Sequence, residues 1–78
     1  MNELKLKEMN EDRIIYLYQP EGSGEYGEIV YKFSDGNTEV VKQSKDDEYG
    51  RYAHKAELKV KDCVRRNNLP LKCTQAWY

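Results

Sequence analysis

Histidine occurs once, cysteine twice and proline twice in this chain of 78 residues, and each scarcity closes off a class of function. Cys63 and Cys73 stand ten residues apart with no Cys-x-x-Cys spacing, and His54 is the sole candidate nitrogen ligand, so the donor set of a zinc site is missing. A secreted domain this small normally carries more disulfides, and the opening segment Met1-Asn2-Glu3-Leu4-Lys5 has no apolar run of the signal-peptide or membrane-spanning kind. The expected compartment is the cytoplasm. There both thiols are expected to be reduced and turned inward as small hydrophobes, with a 63–73 disulfide as the alternative on meeting an oxidant. His54 lacks a serine or cysteine at a spacing that marks a nucleophile pair, and no partner positions it for acid–base work. No catalytic, cofactor-binding or metal-ligating residue is therefore assigned, and the chain is read as a non-enzyme.

Aromatic residues, in contrast, are plentiful. Seven Tyr with Phe33 and Trp77 argue for a folded chain despite 35% charged residues and a mean hydropathy of −1.00. At this length the chain is one domain with a thin core and little room for a deep cleft. The net charge of −1 hides an asymmetry. Residues 1–50 hold six basic and twelve acidic side chains (−6), and residues 51–78 hold seven basic and two acidic (+5). Such a division either marks a basic binding face or sets opposite charges against each other across a small fold.

Residues 1–12 alternate weakly and are rich in charge, which leaves a short strand, a helix and a frayed tail all open. Arg13 to Gln19 is a β-branched and aromatic run stopped by Pro20 and the glycines that follow, a first strand. Glu28 to Ser34 resumes an alternation that sets Ile29, Tyr31 and Phe33 on one face, a second strand. Asp35-Gly36 suits a two-residue type I′ turn, which pairs Phe33 with Thr38, Lys32 with Glu39, Tyr31 with Val40 and Val30 with Val41. The expected core face carries Ile29, Tyr31, Phe33 and Val40.

After Ser44 the period lengthens. Tyr49, Tyr52, Ala53, Ala56, Val60, Cys63, Val64 and Asn67 form one helical stripe, with Leu58 half exposed beside it. Ser44 or Asp46 is the expected cap, Asp46, Asp47 and Glu48 suit the positive N-terminal end, and Asn67-Asn68 before Pro70 closes the helix. Leu71 to Tyr78 alternates as a last strand. The expected fold is α+β, a small single domain in which an antiparallel three-stranded meander packs on one α-helix and ends in a C-terminal strand, β-β-β-α-β.

Gly22-Ser23-Gly24-Glu25-Tyr26-Gly27 reads GxGxxG, and with the strand after it resembles the glycine-rich loop of protein kinases over about eleven residues. The lysine of a third strand and the HRD and DFG segments that such a fold implies are absent, and Glu21, Glu25 and Glu28 would repel phosphate. A strand follows the glycines where a Rossmann site needs a helix N-terminus. The glycines are read as a hairpin loop.

In topology alone, the order β-β-β-α-β is similar to the half-RNase-H-like fold of HicB-type antitoxins, and with residues 1–12 helical it would resemble a double-stranded-RNA-binding domain. These likenesses imply a nucleic-acid-associated accessory protein using the basic helix side, with Arg51, Lys55, Lys59 and Arg66 as contacts. The leading expectation is different: a protein-interaction or self-association module without catalysis. One helix covers one sheet face, so the other should expose either Ile15, Leu17, Val30 and Val41 or the alternate set Ile14, Tyr16 and Tyr18. Tyr16, Tyr18, Trp77 and Tyr78 are the candidate interface to a protein partner or second copy.

Overall fold

The structure, a computed structural model, describes residues 1–76. Its elements run β1 (Asn2–Met9), β2 (Arg13–Pro20), β3 (Gly27–Lys32), β4 (Thr38–Lys42), α1 (Arg51–Arg65) and β5 (Lys72–Gln75). All strand pairs are antiparallel, in the order β4-β3-β2-β1-β5. The class is α+β as expected, but the meander has four strands rather than three. The open question of residues 1–12 resolves to a strand, and a central one.

Asn10 explains why that segment turns back so tightly. Its side-chain oxygen accepts the amides of Asp12 (2.8 Å) and Arg13 (3.0 Å), a side-chain mimic of a turn that frees the chain to reverse without glycine. Along β1, Leu4 and Leu6 point toward the helix, and a bulge between Leu6 and Glu8 restores pairing with β2.

The core lies between the sheet and α1. Leu4, Ile14, Tyr16, Tyr18 and Ile29 meet Ala53, Ala56 and Val60, and the two alanines let the helix approach the large rings. The helix starts later than its stripe suggested. Asp46, Asp47 and Glu48 precede it in a turn, its first turn holds no acidic residue, and Gly50 (φ 72°) enters it without a side-chain cap. Asp47 does the capping instead, from three residues upstream of Gly50. Its carboxylate accepts the amides of Tyr52 (3.1 Å) and Ala53 (2.9 Å).

The β3–β4 hairpin is wider than a two-residue turn. Lys32 N–H donates to Asn37 O (2.9 Å) and Gly36 N–H to Lys32 O (2.9 Å). Gly36 takes φ 69°, whereas Asp35 is not at positive φ, so the type I′ geometry fails at its first position. The pairs are Tyr31 with Thr38, Val30 with Glu39 and Ile29 with Val40, a slip of two residues from the expected register. An even slip preserves which face each side chain takes, so Ile29, Tyr31 and Val40 still face the helix. Phe33 does not: it leaves the sheet for the loop, 43% exposed, with its ring edge-on to Tyr31.

Candidate protein interface

The expected anchors Tyr16 and Tyr18 lie beneath the helix, 1% and 0% exposed, and so form no part of a surface. Their hydroxyls reach the two ends of α1. Tyr16 donates to Pro70 O (2.7 Å) in the loop after the helix, and Tyr18 donates to Asp47 Oδ2 (3.0 Å) and accepts Ser44 N–H (3.0 Å) in the loop before it. Burial pushes both phenols up to about 12. At Tyr18 the Ser44 amide opposes that rise and Asp47 adds to it. The other two interface candidates, Trp77 and Tyr78, lie outside the described residues.

The face away from the helix carries Ile15, Leu17, Val30 and Val41, the first of the two sets expected from alternation. Ile15 and Val30 are nonetheless only 8% exposed. Ion pairs span this face: Lys7 with Glu28 (2.7 Å), Arg13 with Glu8 (2.9 Å) and Lys32 with Glu39 (3.4 Å). Long side chains of this kind lay their apolar stems along the sheet and keep their charges in water. Lys7 reaches Glu28 from the β1 bulge, which no sequence pattern announced.

Toward β4 the cover ends. Val41 is 49% exposed and borders an open depression of about 570 Å³, with Val30 in its lining and Glu11, Asp12, Arg13 and Glu39 around it. The β1–β2 turn and the β3–β4 loop frame this depression, since Phe33 N–H donates to Asp12 O (3.1 Å). Beside it, among the described residues, β4 pairs only with β3 and forms one edge of the sheet. Exposed apolar groups, mixed charges and an unpaired strand edge therefore meet at one place.

The candidate nucleic-acid contacts fall along one side of α1 but differ in setting. Arg51 and Arg66 are exposed, whereas Lys55 and Lys59 are half-buried. The Arg51 guanidinium stands 6.0 Å from the centroid of the Tyr49 ring, and Arg66 bonds Asp62 (3.1 Å), which Arg65 also engages. These two arginines hold the Asp62 carboxyl below its ordinary value.

Cys63 is buried on the helix and Cys73 half-buried on β5, both as free thiols that burial pushes up. Among the described residues no three of His, Cys, Asp and Glu gather as a metal site, and no helix is long and apolar enough to cross a membrane. Comparison with protein families, curated proteins and solved structures finds no match for this chain. The double-stranded-RNA-binding likeness required a helix at residues 1–12, and β1 stands there instead.

Proposed function

We propose that this chain is a small cytoplasmic binding module without catalysis, which meets a protein strand at the β4 edge and the depression beside it. The observation that carries this reading is the coincidence of the unpaired edge of β4 with half-exposed Val41 and Phe33 at the end of a face otherwise crossed by ion pairs. An edge strand offers main-chain bonds for affinity, and the neighbouring apolar side chains and charges offer selectivity. The small size and sparse chemistry of the chain suit such a role.

The test is photo-crosslinking in the cell from a reactive side chain placed at position 41, with position 58 as control. Leu58 is equally exposed but lies on the helix, remote in sequence from the sheet edge. Discrete protein adducts from position 41 and none from position 58 are expected. Equal labelling from both, or none from either, overturns the reading.

A further inference from the structure

Alternation along an antiparallel ladder decides which main-chain groups of β4 face outward. Lys32 bonds Asn37 O at the hairpin end, so Glu39, opposite Val30, turns its N–H and C=O inward, and Thr38 and Val40 turn theirs to the free edge. Among the described residues nothing else in the chain bonds the main chain of residues 38–42 outside that ladder. The opposite edge differs: β5 is four residues long, and its Gln75 side chain turns in to donate to Lys55 O (2.9 Å).

We propose that β4 pairs antiparallel with β4 of a second copy of this chain, about a two-fold axis beside Val40, which joins the two sheets into one. The proposal rests on the reading of β4 as the binding edge and names its occupant.

The register follows from symmetry and charge. Residues opposite each other in an antiparallel pair share a face, so a two-fold axis normal to the sheet must set one residue against its own copy. Glu39 in that position would oppose two carboxylates and has its main-chain groups turned inward. Val41 falls at the irregularity where pairing passes from Ile29–Val40 to Glu28–Lys42. Val40 is uncharged, turns its groups outward and can exchange both bonds with its copy.

In this register Glu39 of one copy lies beside Val41 and Lys42 of the other. Lys42 pairs with Glu28 in the ladder and so shares the face of Glu39, and it has no ion pair of its own among the described residues. Glu39 has only the exposed, 3.4 Å pair with Lys32. About that axis the direct pairs are Glu39 with Val41 and Thr38 with Lys42, and the irregularity at Val41 turns Lys42 of one copy onto the face of Glu39 of the other, so acid and base are diagonal neighbours at two symmetric places.

Sedimentation velocity on the purified chain, from micromolar to millimolar concentration, reads the association. Wild type is expected to pass from monomer to dimer. Lys42→Glu is expected to weaken dimerisation roughly tenfold, two contacts turning from attractive to repulsive, and Glu39→Lys with Lys42→Glu to restore it. Val40→Pro removes an outward N–H, a change that edge strands tolerate, and is expected to give a folded monomer by circular dichroism.

A chain that stays monomeric throughout, or a dimer that neither charge reversal nor Val40→Pro weakens, overturns the self-pairing. The in-cell crosslink separates the two readings. Adducts from position 41 at the mass of two chains support both, adducts at another mass keep the binding edge and reject the second copy, and no adducts reject both.

Discussion

Tyr18 is held on three sides: its ring lies against the main chain of β3, its hydroxyl donates to Asp47, and the same oxygen accepts from Ser44. The ring fits because position 27 has no side chain. A Cβ there would stand 2.1 Å from Tyr18 Cε1 and 2.8 Å from Lys42 O, well inside contact distance. The last glycine of GxGxxG is thus a packing residue, and Gly27→Ala is expected to cost about 3 kcal/mol, read as a lower urea midpoint. Gly36→Val acts through backbone alone, since Tyr31 Oη would lie at 3.6 Å, an ordinary contact. Strain at φ 69° should cost it about 1–2 kcal/mol. The two buried phenols also set a pH dependence. Their folded values of about 12 exceed the unfolded 10.0, so the unfolded state loses these protons first. Their contribution is complete below pH 10 and is lost as pH rises toward 12, at up to about 1.4 kcal/mol per pH unit for each tyrosine. Urea unfolding across that window should show the decline, and Tyr16→Phe or Tyr18→Phe should shallow it; an unchanged slope in both variants would reject the assignment.

At the scale of elements, the helix is positioned by β2 through its two ends: Tyr18 through Asp47 at the start, Tyr16 through Pro70 after the finish. Asp47→Ala is therefore expected to free two helix amides and the Tyr18 hydroxyl together, costing about 2–4 kcal/mol. Asp46→Ala, which loses an exposed bond to Glu25 N–H (2.8 Å), should cost under about 1 kcal/mol. Faster amide exchange at Tyr52 and Ala53 in the first variant alone would locate the effect, and equal destabilisation by both would contradict it. The helical stripe was legible because Ala53, Ala56, Val60 and Cys63 repeat at helical spacing and all are buried. The start was not, because three consecutive acids look alike in sequence, whereas only Asp47 folds back onto the amides. The hairpin shows the same division: alternation fixed the faces of Ile29, Tyr31 and Val40, but the loop length, set by where Phe33 leaves the sheet, had no local signature.

At the scale of the molecule, which strand is an edge depends on what joins the meander on its far side, and that depends on β1. Its charged alternation, Glu3, Lys5 and Lys7 on either side of Leu4 and Leu6, suits a frayed tail as well as a strand whose outer face is crossed by charges, so sequence could not decide. Tyrosine, the most numerous aromatic in the chain, points to an interface in the sequence, whereas Tyr16 and Tyr18 serve as helix anchors in the core. The position of β1 makes a strong demand on the fold. It pairs β2 on one side and β5 on the other, supplies buried Leu4 to the core, and fixes the helix start through Asn2, whose side chain donates to Tyr52 O (2.9 Å) and Gln75 (3.2 Å). Removing residues 1–9 would strand β5 without a partner and open the core beneath α1. A chain of this length has a total stability of only about 4–12 kcal/mol, and losing Leu4 burial alone takes about 2–3 kcal/mol of it. The truncated chain is expected to lose near-ultraviolet circular dichroism and amide dispersion, and a synthetic peptide of residues 1–10, added in excess, is expected to restore both by refilling the gap between β2 and β5. Native-like spectra from the truncated chain without peptide would mean that the sheet closes some other way and that β1 is not the strand on which the fold depends.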